Sequence, residues 1–139
     1  MIVPDASVVL KWFLPEADRD KALALVAGHI KGQDVMAVPE LLFYEVSNIL
    51  TVKSRLSAEV IFAGMRYLYA LGLRAFQLDR EQSLQAIRLA HSHQLSVYDA
   101  SYVALAITLR ATFITADVRL ARKLQAFAFV KTLDQLGAP

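Results

Sequence analysis

Met1-Ile2-Val3-Pro4-Asp5-Ala6-Ser7 decides how this chain reads: a short apolar segment ends in a carboxylate, and a helical pattern starts at once. In an open parallel sheet, ligands bind in the crevice beyond the C-terminal ends of the strands, so a strand finishing at Asp5 delivers a carboxylate to that crevice. Glu45, Asp99 and Asp117 likewise stand at, or one turn into, the start of a helical pattern. Four acids far apart in sequence are thereby candidates to converge on one site.

Working outward, short apolar runs at residues 2–4, 35–38, 75–78, 112–115 and 127–130 read as five strands. Helical patterns fill the intervals, at 6–13, 17–30, 39–53, 58–71, 81–93, 97–109 and 118–124. Pro15 stops the first helix, Pro39 is placed as the opening residue of the third, and Ser57 caps the fourth. Short strands alternating with helical crossovers imply a parallel sheet covered on both faces, an α/β domain of three layers. Right-handed crossovers give the expected strand order 3-2-1-4-5, with Asp5 and Asp117 on neighbouring central strand ends. Pro4 removes a ladder donor from a central strand and is therefore placed at the strand's last residue.

The 139 residues suit one domain spanning 1–139. Hydrophobic residues make up 56% of the chain, yet no stretch free of Asp, Glu, Lys and Arg exceeds ten residues, well short of a membrane span. Mean hydropathy is +0.41, and the surplus apolar surface points to an oligomer or a partner, notably at 61–65 and 67–71. No signal peptide is expected from the N-terminal residues. The absence of cysteine excludes disulfides and thiolate sites and agrees with a cytoplasmic protein. Net charge is +2 with the four acids included, so the remainder is modestly basic and suits a polyanion.

Each acid also has a simpler reading. Asp5 can cap the helix that follows it, and Ser7 can be an ordinary first-turn residue. Glu45 shares a helix face with Leu42, Val46 and Ile49, which draws its carboxylate towards apolar surroundings, where an unpaired charge is costly. Asn48 reads as a surface residue and Glu40 as a first-turn acid facing the helix dipole. Ser96 and Asp99 resemble a capping box with Asp in the Glu position, but Asp99 stacks over Val103 and Ala106 on an almost wholly apolar helix, which favours function. Asp117 alone reads as a helix cap, with the Thr115 hydroxyl beside it. Asp79 and Gln82 make an ordinary capping box, and His29, His91 and His93 read as surface residues. Arg119, Arg122 and Lys123 follow Asp117 at helical spacing, either to hold the phosphates of a polyanion or as a solvated face.

Taken together, the segments 2–13, 39–50 with Glu45, 96–106 with Asp99 and 113–117 with Asp117 resemble the PIN-domain nucleases, and the chain as a whole resembles the VapC-type toxins of toxin–antitoxin pairs. The resemblance implies a PIN-like domain with Asp5, Glu45, Asp99 and Asp117 as an acidic metal-binding and catalytic quartet, and Ser7 and Thr115 as supporting polar residues. It implies a metal-dependent endoribonuclease, Mg²⁺ or Mn²⁺ as cofactor, RNA as substrate and a small antitoxin as partner, while the apolar excess at 61–65 and 67–71 points to a homodimer. Clustered carboxylates need a cation to ionise together, and hard oxygen donors select Mg²⁺ or Mn²⁺. Pro4 departs from the family's usual apolar residue and puts the strand's last hydrogen bond in question.

Three other readings remain. A phosphoenzyme of the haloacid-dehalogenase type wants a second acid where Ser7 stands. A catalytically inactive PIN-like binding domain has no need of an intact quartet. A related DNA nuclease agrees with the same residues.

Overall fold

The computed structural model describes residues 1–136. Its strands are Ile2–Pro4 (β1), Ala37–Pro39 (β2), Arg74–Phe76 (β3), Thr112–Thr115 (β4) and Val130–Thr132 (β5). Its helices are Ala6–Phe13 (α1), Arg19–Ile30 (α2), Leu41–Val52 (α3), Ala58–Ala70 (α4), Arg80–His93 (α5), Val97–Leu109 (α6) and Val118–Lys123 (α7), with a 3-10 turn at Leu133–Gln135.

All strand pairs are parallel, but the expected single five-stranded sheet is divided. One ladder runs β1-β4-β5 and a second pairs β2 with β3. Among the described residues the two are bridged by an isolated parallel pair, Ile2 and Met36, supported by the Ile2 N–H donating to the Val35 carbonyl at 2.9 Å. β1 and β2 have three residues each, and β1 meets the second segment at Met36, one residue before β2 begins, so the contact amounts to one bridge and not a ladder. Every residue of β1 is buried, although successive side chains point to opposite faces, so both faces of this strand are covered. α6, buried continuously from Ala100 to Ala106, packs on β1, β2 and β4 with α5 against it; α1 packs on β1 and β4 and carries α2 and α3.

Pro4 ends β1 as expected, and the ladder loses nothing there, because the next donor is the Asp5 N–H, which reaches the Ile114 carbonyl at 3.0 Å. The same device closes β2 and corrects the placement of Pro39. Pro39 is the last residue of that strand, paired with Phe76, and the Glu40 N–H donates to the Phe76 carbonyl at 3.0 Å. Helix α3 therefore starts at Leu41. Helix α2 starts at Arg19, later than its pattern suggests, because Asp18 takes a left-handed backbone (φ 59) that Asp tolerates better than most residues. The run 127–130 is mostly turn: the Val130 N–H returns to the Phe127 carbonyl, and the Phe127 ring packs against His93 and Phe129. Pairing continues through Val130–Thr132 instead.

Candidate active site

The site is built where β1 and β4 end side by side. The register sets Pro4 opposite Ile114, so Asp5 and Thr115 lie at adjacent strand tips. Asp5 is only 5% exposed. Its Oδ1 accepts from the Val8 N–H at 3.2 Å, capping α1, and from the Ser7 hydroxyl. Burial pushes this carboxyl up to about 6, against the lowering by the Ser7 and Thr115 hydroxyls, and the charge of Asp99 adds to the rise. Ser7 joins the two strand tips: its Oγ accepts from the Ala116 N–H at 2.8 Å and lies 3.4 Å from the Thr115 hydroxyl. Thr115 is fully buried and accepts from the Asp117 N–H at 3.0 Å.

Asp117 caps α7, its Oδ1 accepting from the N–H groups of Arg119 at 2.8 Å and Leu120 at 3.1 Å. Asp99 sits in the first turn of α6. Ser96 caps that helix by accepting from the Asp99 N–H at 3.0 Å, while its hydroxyl donates to Asp99 Oδ2 at 2.8 Å. Glu45, half-buried on α3, takes the Tyr102 hydroxyl on Oε2. Burial raises the Glu45 carboxyl and Asp99 raises it further, while the Tyr102 bond lowers it. Asp99 is thus felt by both Asp5 and Glu45 and joins them electrostatically. A cleft of about 210 Å³ has Asp99 and Asp117 on its lining together with Arg119, Lys123, Ser96 and Gln94.

The capping readings and the functional readings therefore coexist, because each cap uses one carboxylate oxygen. Among the described residues the other oxygens of Glu45, Asp99 and Asp117 accept no hydrogen bond from the protein. None of the four acids is ion-paired there, the pairs being Lys11–Glu16, Lys21 with Asp18 and Asp134, and Arg80–Glu81. No three of the described His, Asp and Glu side chains form a ready metal cage. The donor set nevertheless fits Mg²⁺, which keeps several waters and takes one or two carboxylates with substrate phosphate oxygens.

Of the three basic candidates, Arg119 and Lys123 line the cleft and Arg122 does not, and Lys123 Nζ donates to the Gln94 carbonyl at 2.6 Å. Two histidines depart from the expected surface role. His29 is half-buried, with Nε2 3.0 Å from the Leu71 carbonyl and Nδ1 receiving the Met36 N–H at 3.3 Å; His93 packs on Phe127. Tyr102 was not legible as a site residue from the sequence, although its phenol in an apolar helix, three residues after Asp99, is a group that needs a partner when buried.

The PIN-domain family profile matches residues 2–124, and the chain belongs to the PIN-domain family. Within it, the chain is similar to ribonuclease VapC3 of Pyrobaculum aerophilum, 29% identical over 132 residues that cover 90% of this chain and 95% of that protein. It is also similar to exonuclease VapC9 of the same organism, 31% identical over 117 residues covering 81% and 87% respectively. Its fold resembles a chain of a toxin–antitoxin complex from Klebsiella pneumoniae, with a TM-score of 0.69 at 16% identity over 96% of this chain and 98% of that one. No described helix is long and apolar enough to cross a membrane.

Proposed function

We propose that this protein is a metal-dependent endoribonuclease of one PIN-like domain over residues 1–139, acting in the cytoplasm as the toxin of a type II toxin–antitoxin pair. The carrying observation is the quartet Asp5, Glu45, Asp99 and Asp117: four acids near the β1 and β4 tips, none ion-paired among the described residues, with three offering an uncommitted oxygen. In this reading those carboxylates are the catalytic residues and hold Mg²⁺ or Mn²⁺. An ion held by these carboxylates would supply a water of lowered pKa and stabilise negative charge on the phosphate oxygens. Ser7 and Thr115 keep the two strand tips in register. Arg119 and Lys123 on the cleft wall, with Arg122 beyond it, bind RNA phosphates. Exposed bases in single strands and loops are the accessible targets, since A-form helices hide theirs.

The similarity to a ribonuclease supports the substrate class, and the likeness to a toxin–antitoxin complex supports an antitoxin partner. Exposed apolar side chains on α3 and α4 supply a docking face for a second copy, with Tyr44 at 74% and Phe62 at 69% exposure. Light scattering at micromolar concentration should give the mass of a dimer, and a monomer mass removes that part. Because the second relative is an exonuclease, sequencing the RNA ends after digestion is the deciding experiment. Internal cuts leaving 5′-phosphates support the proposal. Progressive shortening from one end, or cleavage of DNA alone, overturns it.

A further inference from the structure

We infer that Tyr102 is the positioning residue of this site: its hydroxyl, donated to Glu45 Oε2, holds the Glu45 carboxylate in place and leaves Oε1 as the oxygen available to the cation. The inference rests on the metal-site reading above. Tyr102 is 1% exposed and lies one turn beyond Asp99 on α6, whereas Glu45 is carried by α3, 57 residues away in sequence. Among the described residues this is the only side-chain hydrogen bond between those two helices. Glu45 therefore owes its placement relative to Asp99 to the phenol. Unlike Asp5, Asp99 and Asp117, its carboxylate is held, among the described residues, by no backbone N–H and by no hydroxyl from its own helix start. A glutamate side chain has three rotatable bonds, and without a tether its free oxygen samples many positions.

A merely structural role, satisfying a buried phenol, would make the tether matter to stability and not to the cation. Hydrogen-bond partners behind metal ligands typically change metal affinity about tenfold to a hundredfold when removed. The test is Mn²⁺ binding to the full chain by titration calorimetry, with melting curves in chelator, for the parent, Tyr102→Phe, Glu45→Gln and the double variant. Phe keeps the packing and deletes only the hydroxyl. Expected are a Mn²⁺ affinity at least about tenfold weaker for Tyr102→Phe, and a double variant no weaker than Glu45→Gln alone. A Tyr102→Phe protein that binds Mn²⁺ as the parent does, while Glu45→Gln binds it poorly, overturns the role of Tyr102 and leaves the metal site standing. Additive losses in the double variant overturn it as well, because the tether would then act elsewhere than through Glu45. A parent that binds no Mn²⁺ at millimolar concentration overturns this inference together with the metal-site reading.

Discussion

The Ala116 N–H donates to the Ser7 hydroxyl at 2.8 Å, so the tips of β1 and β4 are joined by a side chain where the ladder itself has ended. The same hydroxyl donates to Asp5, and removing it affects both the strand tips and the acid. Ser7→Ala should lower stability by about 1–3 kcal/mol, because the Ala116 N–H is left without its partner. RNA cleavage should fall with it. Urea midpoints show the first effect, and an unchanged midpoint would mean that water replaces the hydroxyl.

Asp117 separates capping from function by chemistry. Asn is as good a helix cap as Asp, so Asp117→Asn should keep the bonds to the Arg119 and Leu120 N–H groups, and with them the stability, while losing cleavage. Asp117→Ala should lose cleavage and also about 1–2 kcal/mol of stability. Thermal melts of the two variants, paired with an RNA assay, check this; full activity in Asp117→Asn would make the residue a cap alone.

Burial raises the carboxyls of Asp5 and Glu45, and the negative charge of Asp99 raises both further, a repulsion that removing that charge relieves in the metal-free protein. Asp99→Asn keeps an oxygen for the Ser96 hydroxyl and removes the charge, so the metal-free variant should be as stable as the parent or more so. Added metal should stabilise the parent by roughly 2.7 kcal/mol at a hundred times its dissociation constant and the variant much less. Denaturant midpoints with and without Mg²⁺ read both quantities, and a destabilised variant with an unchanged metal response would leave Asp99 purely structural.

What could be read in the sequence follows from how locally each feature is determined. The bounds of β1, α1, α6 and β4 match the apolar runs and the Asp5 and Ser96 caps, because cap and periodicity sit within a few residues of each other. Pro39 misled because proline suits both the start of a helix and the end of a strand, and the choice was made by β3, a distant segment. Phe127 and Phe129 misled because aromatic residues packing a turn carry the same apolar signal as a strand. The four acids were legible as helix-start residues, but their grouping depends on the β1–β4 register and on α3 reaching Tyr102. The Tyr102–Glu45 bond crosses two helices and leaves no pattern in a single chain.

Asp5 also sets a pH dependence for the metal-free protein. Its folded carboxyl titrates at about 6 against an ordinary 3.8, so between these values the folded chain holds a proton that the unfolded chain has lost. The contribution of Asp5 to stability should therefore be highest below about pH 4, fall as pH rises to about 6, and level off above, by about 3 kcal/mol for a shift of about two units, while Asp18 and Glu59, whose carboxyls are held low by hydrogen bonds, act the other way. Glu45 acts in the same direction as Asp5. Urea midpoints in chelator across this window should show the parent losing stability relative to Asp5→Asn as pH rises from about 4 to about 6; a constant difference between the two proteins would remove Asp5 as a pH-sensitive group.

The central claim, that the acids at the β1 and β4 tips act together through a divalent cation to cut RNA, is tested most directly by the cleavage rate of a loop-containing RNA against Mg²⁺ or Mn²⁺ concentration. Purified parent, Asp5→Asn and Asp117→Asn should be compared, each with an excess-chelator control. The account predicts a saturable rise in the parent, complete loss in chelator that added metal restores, and no cleavage by either folded variant at any metal concentration. Cleavage by the parent that persists in excess chelator, or that survives in Asp5→Asn, would contradict it.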